Sequence, residues 1–586
     1  MFNILNKINS PLDVKKLSIE ELNILSSEVR EALLKKVNAT GGHMGPNLGM
    51  VEATIALHYV FNSPKDKMVY DVSHQSYTHK ILTGRKEAFM NPDRYHSVSG
   101  YTNPNESEHD YFTVGHTSTS VSLATGLAKG RDLKGDNENI IAVIGDGSLS
   151  GGQAYEGLNN ASVLNSNIIV LVNDNEMSIA ENHGGLYQNL SLLRETKGKA
   201  ESNFFKTLGF DYYYIEDGHN IEELIETFNK VKDIDHPVVL HMHTIKGKGL
   251  EVAEKNKEQW HWSLQGALDV KPEQKFEMPE NYASITREFI AAKYQKDRKV
   301  IAISAATPMI TGFTPDFRQK AGIHYTDVGI AEEHAVAFAS GIAANGGKPI
   351  IAIASSFVQR TYDQLSHDLS LNKNSAVILV FGGGISGSDS THLGTFDIPL
   401  ISNIPNMVYL APTCKEEYLT MLNWAADQNE HPVSIRVPSG ELISTGIEDT
   451  TDYSILNKFK VEEKGSKVAI VALGSFFKLG KKVKAMLKDK LDVDATLINP
   501  HFITGIDEEL LKSLENNHKV VVTLEDGLVD GGFGEKITRF YGSSEMKVLN
   551  FGSKKEFTDS VPVDKLYERY HLTDELIVKD IENLIK

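Results

Sequence analysis

The chain carries one cysteine, Cys414, among 586 residues. A single thiol excludes an intrachain disulfide, and no Cys/His spacing suits a zinc site, so Cys414 reads as a small core residue. Long apolar runs are also missing: no stretch approaches the roughly eighteen residues that a membrane span needs. The N-terminal stretch MFNILNKINSPLDVKKLSIEELN lacks the apolar core of a secretory signal. No membrane association is expected, and the cytoplasm is the expected location. Basic residues are in deficit, 60 Lys and Arg against 78 Asp and Glu, giving a formal net charge of −18. That balance disfavours nucleic acid and anionic lipid as partners, while leaving room for a local basic pocket. Sequence repeats and low-complexity tracts are absent, which excludes a solenoid or a fibrous array.

What remains is an ordinary globular composition in a chain too long for one core, so several domains are expected. Strand-like runs alternate with helical patterns: IIAVIG (140–145), NIIVLVN (167–173) and PVVLHMHT (237–244) lie between amphipathic or Ala-rich segments. Such alternation predicts α/β architecture with mainly parallel sheets covered by helices. The charged, proline-containing stretch DVKPEQKFEMPEN (269–281) reads as a linker, after which RKVIAISAA, KPIIAIASS and SAVILVFGG resume the pattern. A second polar stretch (441–466) precedes KVAIVALG, ATLINP, KVVVTLEDG and MKVLNFG. Three α/β domains are therefore expected, over 1–270, 280–445 and 464–586.

Two loops carry chemistry. The strand IIAVI runs into Gly145-Asp146-Gly147-Ser148, and IIVLV ends in Asn173-Asp174-Asn175-Glu176-Met177. Ligands gather at the carboxyl ends of parallel strands. Asp146 offers a hard carboxylate oxygen, Asn175 an amide oxygen and Met177 a backbone carbonyl, a set suited to Mg²⁺ shared with phosphate oxygens. Gly147 is expected to leave room for a diphosphate, although Gly-Asp-Gly also makes plain turns. The other loop, FGGGISGSDSTHLGTFD (381–397), follows a buried-strand run and contains no Arg or Lys. Its glycines allow close approach to a ligand, yet phosphate cradles usually add a cation or a helix N-terminus.

The segments GGHMGPNLGMVEATIALHYVFN, YDVSHQSYTHKILTGR, VGHTSTSVSLATGLA, NDNEMSIAEN, IAEEHAVAFASGIA and SSFVQRTYDQLSHDLSL resemble the 1-deoxy-D-xylulose-5-phosphate synthases, a thiamine-diphosphate-dependent branch of the transketolase group. The resemblance spans nearly the whole chain. It implies a transketolase-like fold, thiamine diphosphate and Mg²⁺ as cofactors, pyruvate or a ketose as donor and an aldehyde as acceptor, and a place in isoprenoid biosynthesis. It also implies a homodimer whose first two domains bracket the cofactor, the third supporting assembly. By the same resemblance Glu332 bonds the cofactor's aminopyrimidine, a task that needs a buried carboxyl with a raised pKa. Glu333 suits the plainer role of a helix-start acid. Phe357 corresponds to the residue stacked on the pyrimidine and Ile179 to the apolar wedge beneath the cofactor. His74, Gly115, His116, Thr117, Gly147, Ser148, Asn175 and Leu250 complete the cofactor set. His43, His261, His392, Asp389 and Arg360 face substrate.

The pattern breaks on the acceptor side. Gly382 and Ser439 stand where the family carries arginines, and Ala354 where it carries a tyrosine. Neither glycine nor serine replaces a planar, charged phosphate fork. Arg436 or Lys373 could supply a relocated cation, and each reads equally well as an ordinary surface or strand-end residue. The loop is also one residue shorter before His392, and several dozen residues of the family pattern are missing between SIAENHGGLYQNLS and FFKTLGFDYY. These departures keep three readings open: the family reaction itself, the same cofactor chemistry on a different acceptor or donor, and a noncatalytic cofactor-binding paralogue.

Overall fold

The computed structural model describes residues 2–270 and 279–585, so residues 271–278 of the expected linker lie outside the described residues. Contacts divide the chain into two compact units, Met1–Glu277 with Gly329–Ala331, and Met278–Val328 with Glu332–Lys586.

The first unit contains β1 (Gly42–His43), β2 (Lys67–Tyr70), β3 (Ile140–Gly145), β4 (Ile168–Asp174), β5 (Asp211–Ile215), β6 (Pro237–His243) and β7 (Trp262–Ser263). A five-stranded, all-parallel sheet runs β2-β3-β4-β6-β5, and β1 pairs with β7 as a short antiparallel ribbon. The runs IIAVI and IIVLVND are buried on both faces, as helix-covered parallel strands must be, which is why they read as continuous apolar segments. Covering helices carry local start and stop signals. Asn220 caps Ile221–Val231 by accepting from the Glu222 and Glu223 amides, and Gly135 ends Ser120–Lys134 in the left-handed region. The register pairs Gly145 with Asn173, which sets Asp146 beside Asp174 and Asn175 at one sheet edge.

The second unit holds β8 (Val300–Ser304), β9 (Tyr325–Asp327), β10 (Lys348–Ala354), β11 (Val377–Phe381), β12 (Val408–Leu410), β13 (Val433–Arg436), β14 (Lys460–Glu463), β15 (Lys467–Ala472), β16 (Thr496–Asn499), β17 (His518–Leu528) and β18 (Lys547–Ser553). They form a parallel six-stranded sheet, β12-β13-β11-β10-β8-β9, and a five-stranded sheet, β14-β16-β15-β17-β18, in which only β14 is antiparallel. One hydrophobic core serves both sheets, with Ile353 and Val380 from the first and Val471, Ile498 and Val521 from the second. The polar stretch 441–466 therefore lies inside a single compact unit. Among the described residues no helix is long and apolar enough to cross a membrane.

Candidate active site

In the first unit the β3 and β4 ends build a half-site around Asp146. Its Oδ2 accepts from Asn182 Nδ2 at 2.6 Å, whereas Oδ1 is buried without a hydrogen-bond partner, and so is Asn175 Oδ1. Burial, with the nearby Asp174 carboxylate, pushes the Asp146 carboxyl up to about 8 despite the Asn182 hydrogen bond. Two buried orphan oxygens at the ends of paired strands are costly unless a cation or proton satisfies them. Met177, paired with Glu181 in a one-residue bridge, brings its backbone alongside. Among the described residues no three His, Cys, Asp or Glu side chains converge as they would in an all-protein metal centre. The set fits a hard cation completed by oxygens of a phosphate ligand.

A Cβ on Gly147 would stand 2.8 Å from Ser178 Cα, so glycine at this position also lets the β4 loop approach closely. Two lysines hold that loop: Lys246 Nζ donates to the Ser178 carbonyl at 2.6 Å and Lys257 Nζ to the Asn175 carbonyl at 3.1 Å. Burial lowers Lys246 to about 7, partly offset by Asp146. Neither lysine was among the sequence candidates. The signal for Lys246 is its place in the Gly-rich turn TIKGKG directly after β6.

The histidines expected in this unit do meet. The His43 ring lies 4.8 Å from His74, 5.5 Å from His261 and 4.7 Å from Trp262, centroid to centroid, and His74 lies 5.2 Å from His261. The β1–β7 pairing sets His43 opposite Trp262, next to His261. Burial, then Lys246 and the other two histidines, holds His261 well below its ordinary pKa, so it is a neutral ring. Before His74 the chain passes through Val72 and Ser73 at φ +57° and +65°, an unfavourable conformation for a β-branched residue. Buried Asp71 compensates by accepting from the Ser118 and Ser120 amides, which ties this turn to the loop after Gly115, His116 and Thr117. Ser118 Oγ in turn donates to the Ser148 carbonyl. Ile179 and Leu250 are half-buried, Leu250 against the first unit's helical core.

In the second unit Glu332 opens the helix Glu332–Ala344, only 3% exposed. Burial raises its pKa although Arg360 Nη1 stands 3.5 Å from Oε2. Phe357 meets His392 edge-to-face at 5.7 Å. His392 Nδ1 lies 3.3 Å from Asp389 Oδ1, which also accepts from the Thr391 amide and hydroxyl. Burial opposes the Asp389 charge, but His392 and Thr391 outweigh it and lower its pKa. This unit thus places Glu332 with Arg360, and Phe357 with His392 and Asp389.

The glycine loop turns out to be packed rather than slack. Gly384 and Gly394 pair as a bridge, and a Cβ on Gly394 would stand 2.2 Å from the Gly382 carbonyl. A Cβ on Gly383 would meet Asp397 Oδ2 at 2.8 Å and Arg436 Nε at 2.9 Å. Arg436, 5% exposed, is committed to two carboxylates: its Nε donates to Asp397 at 2.7 Å and its Nη1 to Asp526. That commitment is structural, the ordinary role the sequence left open for it, and Lys373 is an exposed turn residue at φ +53°. Ser439 Oγ donates to the Gly383 carbonyl at 3.2 Å. Gly382, at φ +69°, has open space where a side chain would start.

Comparison with known proteins agrees with this architecture. The transketolase pyrimidine-binding domain matches residues 280–443 and the transketolase C-terminal domain residues 457–577, so the chain is an enzyme of the transketolase class, thiamine-diphosphate-dependent transferases. The family model described as 1-deoxy-D-xylulose-5-phosphate synthase matches residues 5–202 and 191–244, in two pieces that meet where the chain is expected to lack family residues. Curated 1-deoxy-D-xylulose-5-phosphate synthases of Clostridium tetani and Clostridium acetobutylicum are 37% and 39% identical to it, covering 100% and 99% of this chain and the same shares of their own lengths. The chain belongs to the 1-deoxy-D-xylulose-5-phosphate synthase family.

Proposed function

We propose that this protein decarboxylates pyruvate and joins the remaining two-carbon unit to glyceraldehyde 3-phosphate, with thiamine diphosphate and Mg²⁺ as cofactors and a homodimer as the working form. Full-length identity to synthases of that name supports the reading. The observation that carries it is the pair of buried, unpartnered acceptor oxygens on Asp146 and Asn175, which a bound cation would satisfy.

Thiamine diphosphate, when bound, supplies the carbon nucleophile and electron sink for breaking and making C–C bonds. Asp146, Asn175 and the Met177 carbonyl would hold the cation, and Lys246 and the Gly147–Ser148 turn would lie beside its phosphate oxygens. Glu332, buried and with its pKa raised chiefly by that burial, would hydrogen-bond the aminopyrimidine. His43 and His261, the latter neutral, would move protons on substrate oxygens, and His74 would stand beside the cofactor. Asp389 and His392 would orient the acceptor, and Arg360 the donor carboxylate.

A second reading concerns the acceptor alone. Among the described residues of the glycine loop and its two departing neighbours, nothing offers a phosphate fork: Gly382 has no side chain, Ser439 is bonded to Gly383, and Arg436 is buried between Asp397 and Asp526. These observations favour an unphosphorylated aldehyde. The test compares kcat/KM for glyceraldehyde 3-phosphate and for glyceraldehyde, with pyruvate as donor. A preference for the phosphorylated aldehyde of 100-fold or more would refute the second reading. If the unphosphorylated aldehyde is preferred, the double substitution Gly382→Arg with Ser439→Arg should raise use of the phosphorylated one at least tenfold, each charged contact contributing about 1.5 to 3 kcal/mol. No gain would count against phosphate recognition by this loop.

A further inference from the structure

Behind the half-site on β4 lies a buried cluster that the proposed chemistry does not use. Asp174 and His241 are fully buried, and Asp174 Oδ2 accepts from His241 Nε2 at 2.8 Å and Arg194 Nη1 at 2.6 Å. The tautomer follows from the next bond: Tyr212 hydroxyl lies 2.8 Å from His241 Nδ1 and donates to it, which leaves the Nε2 proton for Asp174. Asp174 Oδ1 accepts from the Glu176 amide, and the Asp174 carbonyl accepts from the Thr244 amide at 2.9 Å. Glu176 itself sits at φ +66° and reaches back to Arg194 Nη2 at 3.5 Å and His243 Nε2 at 3.2 Å. Asn175 thus lies between two carboxylate residues that are both tied to Arg194.

The placement of Arg194 is itself constrained. It lies in the last turn of the helix Gly185–Glu195, after which Gly198 bonds back to the Leu193 carbonyl at 2.7 Å. Gly198, at φ +76°, passes so close to β5 that a Cβ would stand 2.5 Å from Tyr214 Cβ. The short connection to the helix Phe204–Leu208 therefore fixes the guanidinium against Asp174.

We propose that Arg194 and His241 are positioning residues that act through Asp174 to hold the β4 loop carrying Asn175, so that this half-site selects Mg²⁺ over Ca²⁺. The inference rests on the reading of Asp146, Asn175 and Met177 as cation ligands. Mg²⁺ needs oxygens at about 2.0 to 2.1 Å in near-ideal geometry, whereas Ca²⁺ accepts about 2.3 to 2.6 Å and variable geometry. Loosening the loop penalises the smaller ion. A purely electrostatic role predicts the opposite, because removing Arg194 leaves more negative charge near the cation and tightens both ions.

The test is calorimetric titration of MgCl₂ and of CaCl₂ into the full-length protein with saturating thiamine diphosphate. Arg194→Met should weaken Mg²⁺ about 10- to 100-fold while Ca²⁺ changes less than about threefold, and Arg194→Lys should restore part of the difference. Should the buried, uncompensated Asp174 prevent Arg194→Met from folding, the charge-balanced Arg194→Met/Asp174→Asn protein is expected to show the same loss of discrimination. Unchanged or tightened Mg²⁺ binding, or equal loss of both ions, overturns the inference. Asp146→Asn separates the two levels: it should weaken both ions, and failure to do so overturns the ligand assignment itself.

Discussion

Replacing Arg436 by alanine should cost the protein stability rather than substrate affinity. The guanidinium is 5% exposed and bonded to Asp397 and Asp526, whose side chains are equally buried. Removing one partner of a buried ion pair costs about 3 to 5 kcal/mol, because the remaining charge loses its compensation. Here two carboxylates are left behind. Each keeps one neutral donor, the Tyr409 hydroxyl at 2.7 Å on Asp397 and the Ser475 hydroxyl at 2.5 Å on Asp526, which sets the expected loss near the lower end, about 3 kcal/mol. For a unit of about 300 residues that is a Tm decrease of roughly 5 °C. Thermal and urea unfolding measure the loss. A loss below about 1 kcal/mol would refute the buried-cluster account and return Arg436 to the candidate phosphate ligands.

Two further outcomes are expected. Gly147→Ala places a methyl 2.8 Å from Ser178 Cα and should weaken binding of thiamine diphosphate with Mg²⁺ by about tenfold or more, read by calorimetry; unchanged affinity would show that the β4 loop does not depend on that approach. Glu525, buried and bonded by the Phe533 and Gly534 amides, is pushed up to about 7 from 4.5, chiefly by burial. The folded state therefore binds its proton more tightly, and the stability it contributes is full below pH 4.5 and lost as pH rises to about 7, by at most about 3 kcal/mol. Tm measured across that window should fall more steeply for the wild type than for Glu525→Gln, and parallel curves would contradict the assignment.

Much of the fold was legible because buried parallel strands write themselves as unbroken apolar runs: IIAVIG and KPIIAIASS coincide with β3 and β10 to within two residues. The strands that escaped notice, such as β5 (DYYYI), β12 (VYL) and β14 (KVEE), are short, aromatic or polar, and owe their state to sheet neighbours rather than to their own pattern. The candidate site divides the same way. Asp146 and Asn175 could be paired from sequence because each directly follows a readable strand. Arg436 could not be understood, since its second partner lies ninety positions away and nothing local distinguishes a buried ion pair from a free strand-end cation. The glycine loop was legible as unusual but not as packed, because the atoms that forbid Cβ groups at Gly383 and Gly384 belong to Asp397, Arg436 and Asp526, outside or at the end of the run.

Catalysis through thiamine diphosphate is measured as CO₂ release from carboxyl-labelled pyruvate, using the purified protein with thiamine diphosphate and Mg²⁺ and, in parallel, Glu332→Ala. Release that requires the cofactor, rises when an aldehyde acceptor is added and falls at least 100-fold in the variant is the predicted result, about 2.7 kcal/mol or more of lost transition-state stabilisation. No release from the wild type under any of these conditions, or undiminished release by Glu332→Ala, would contradict it.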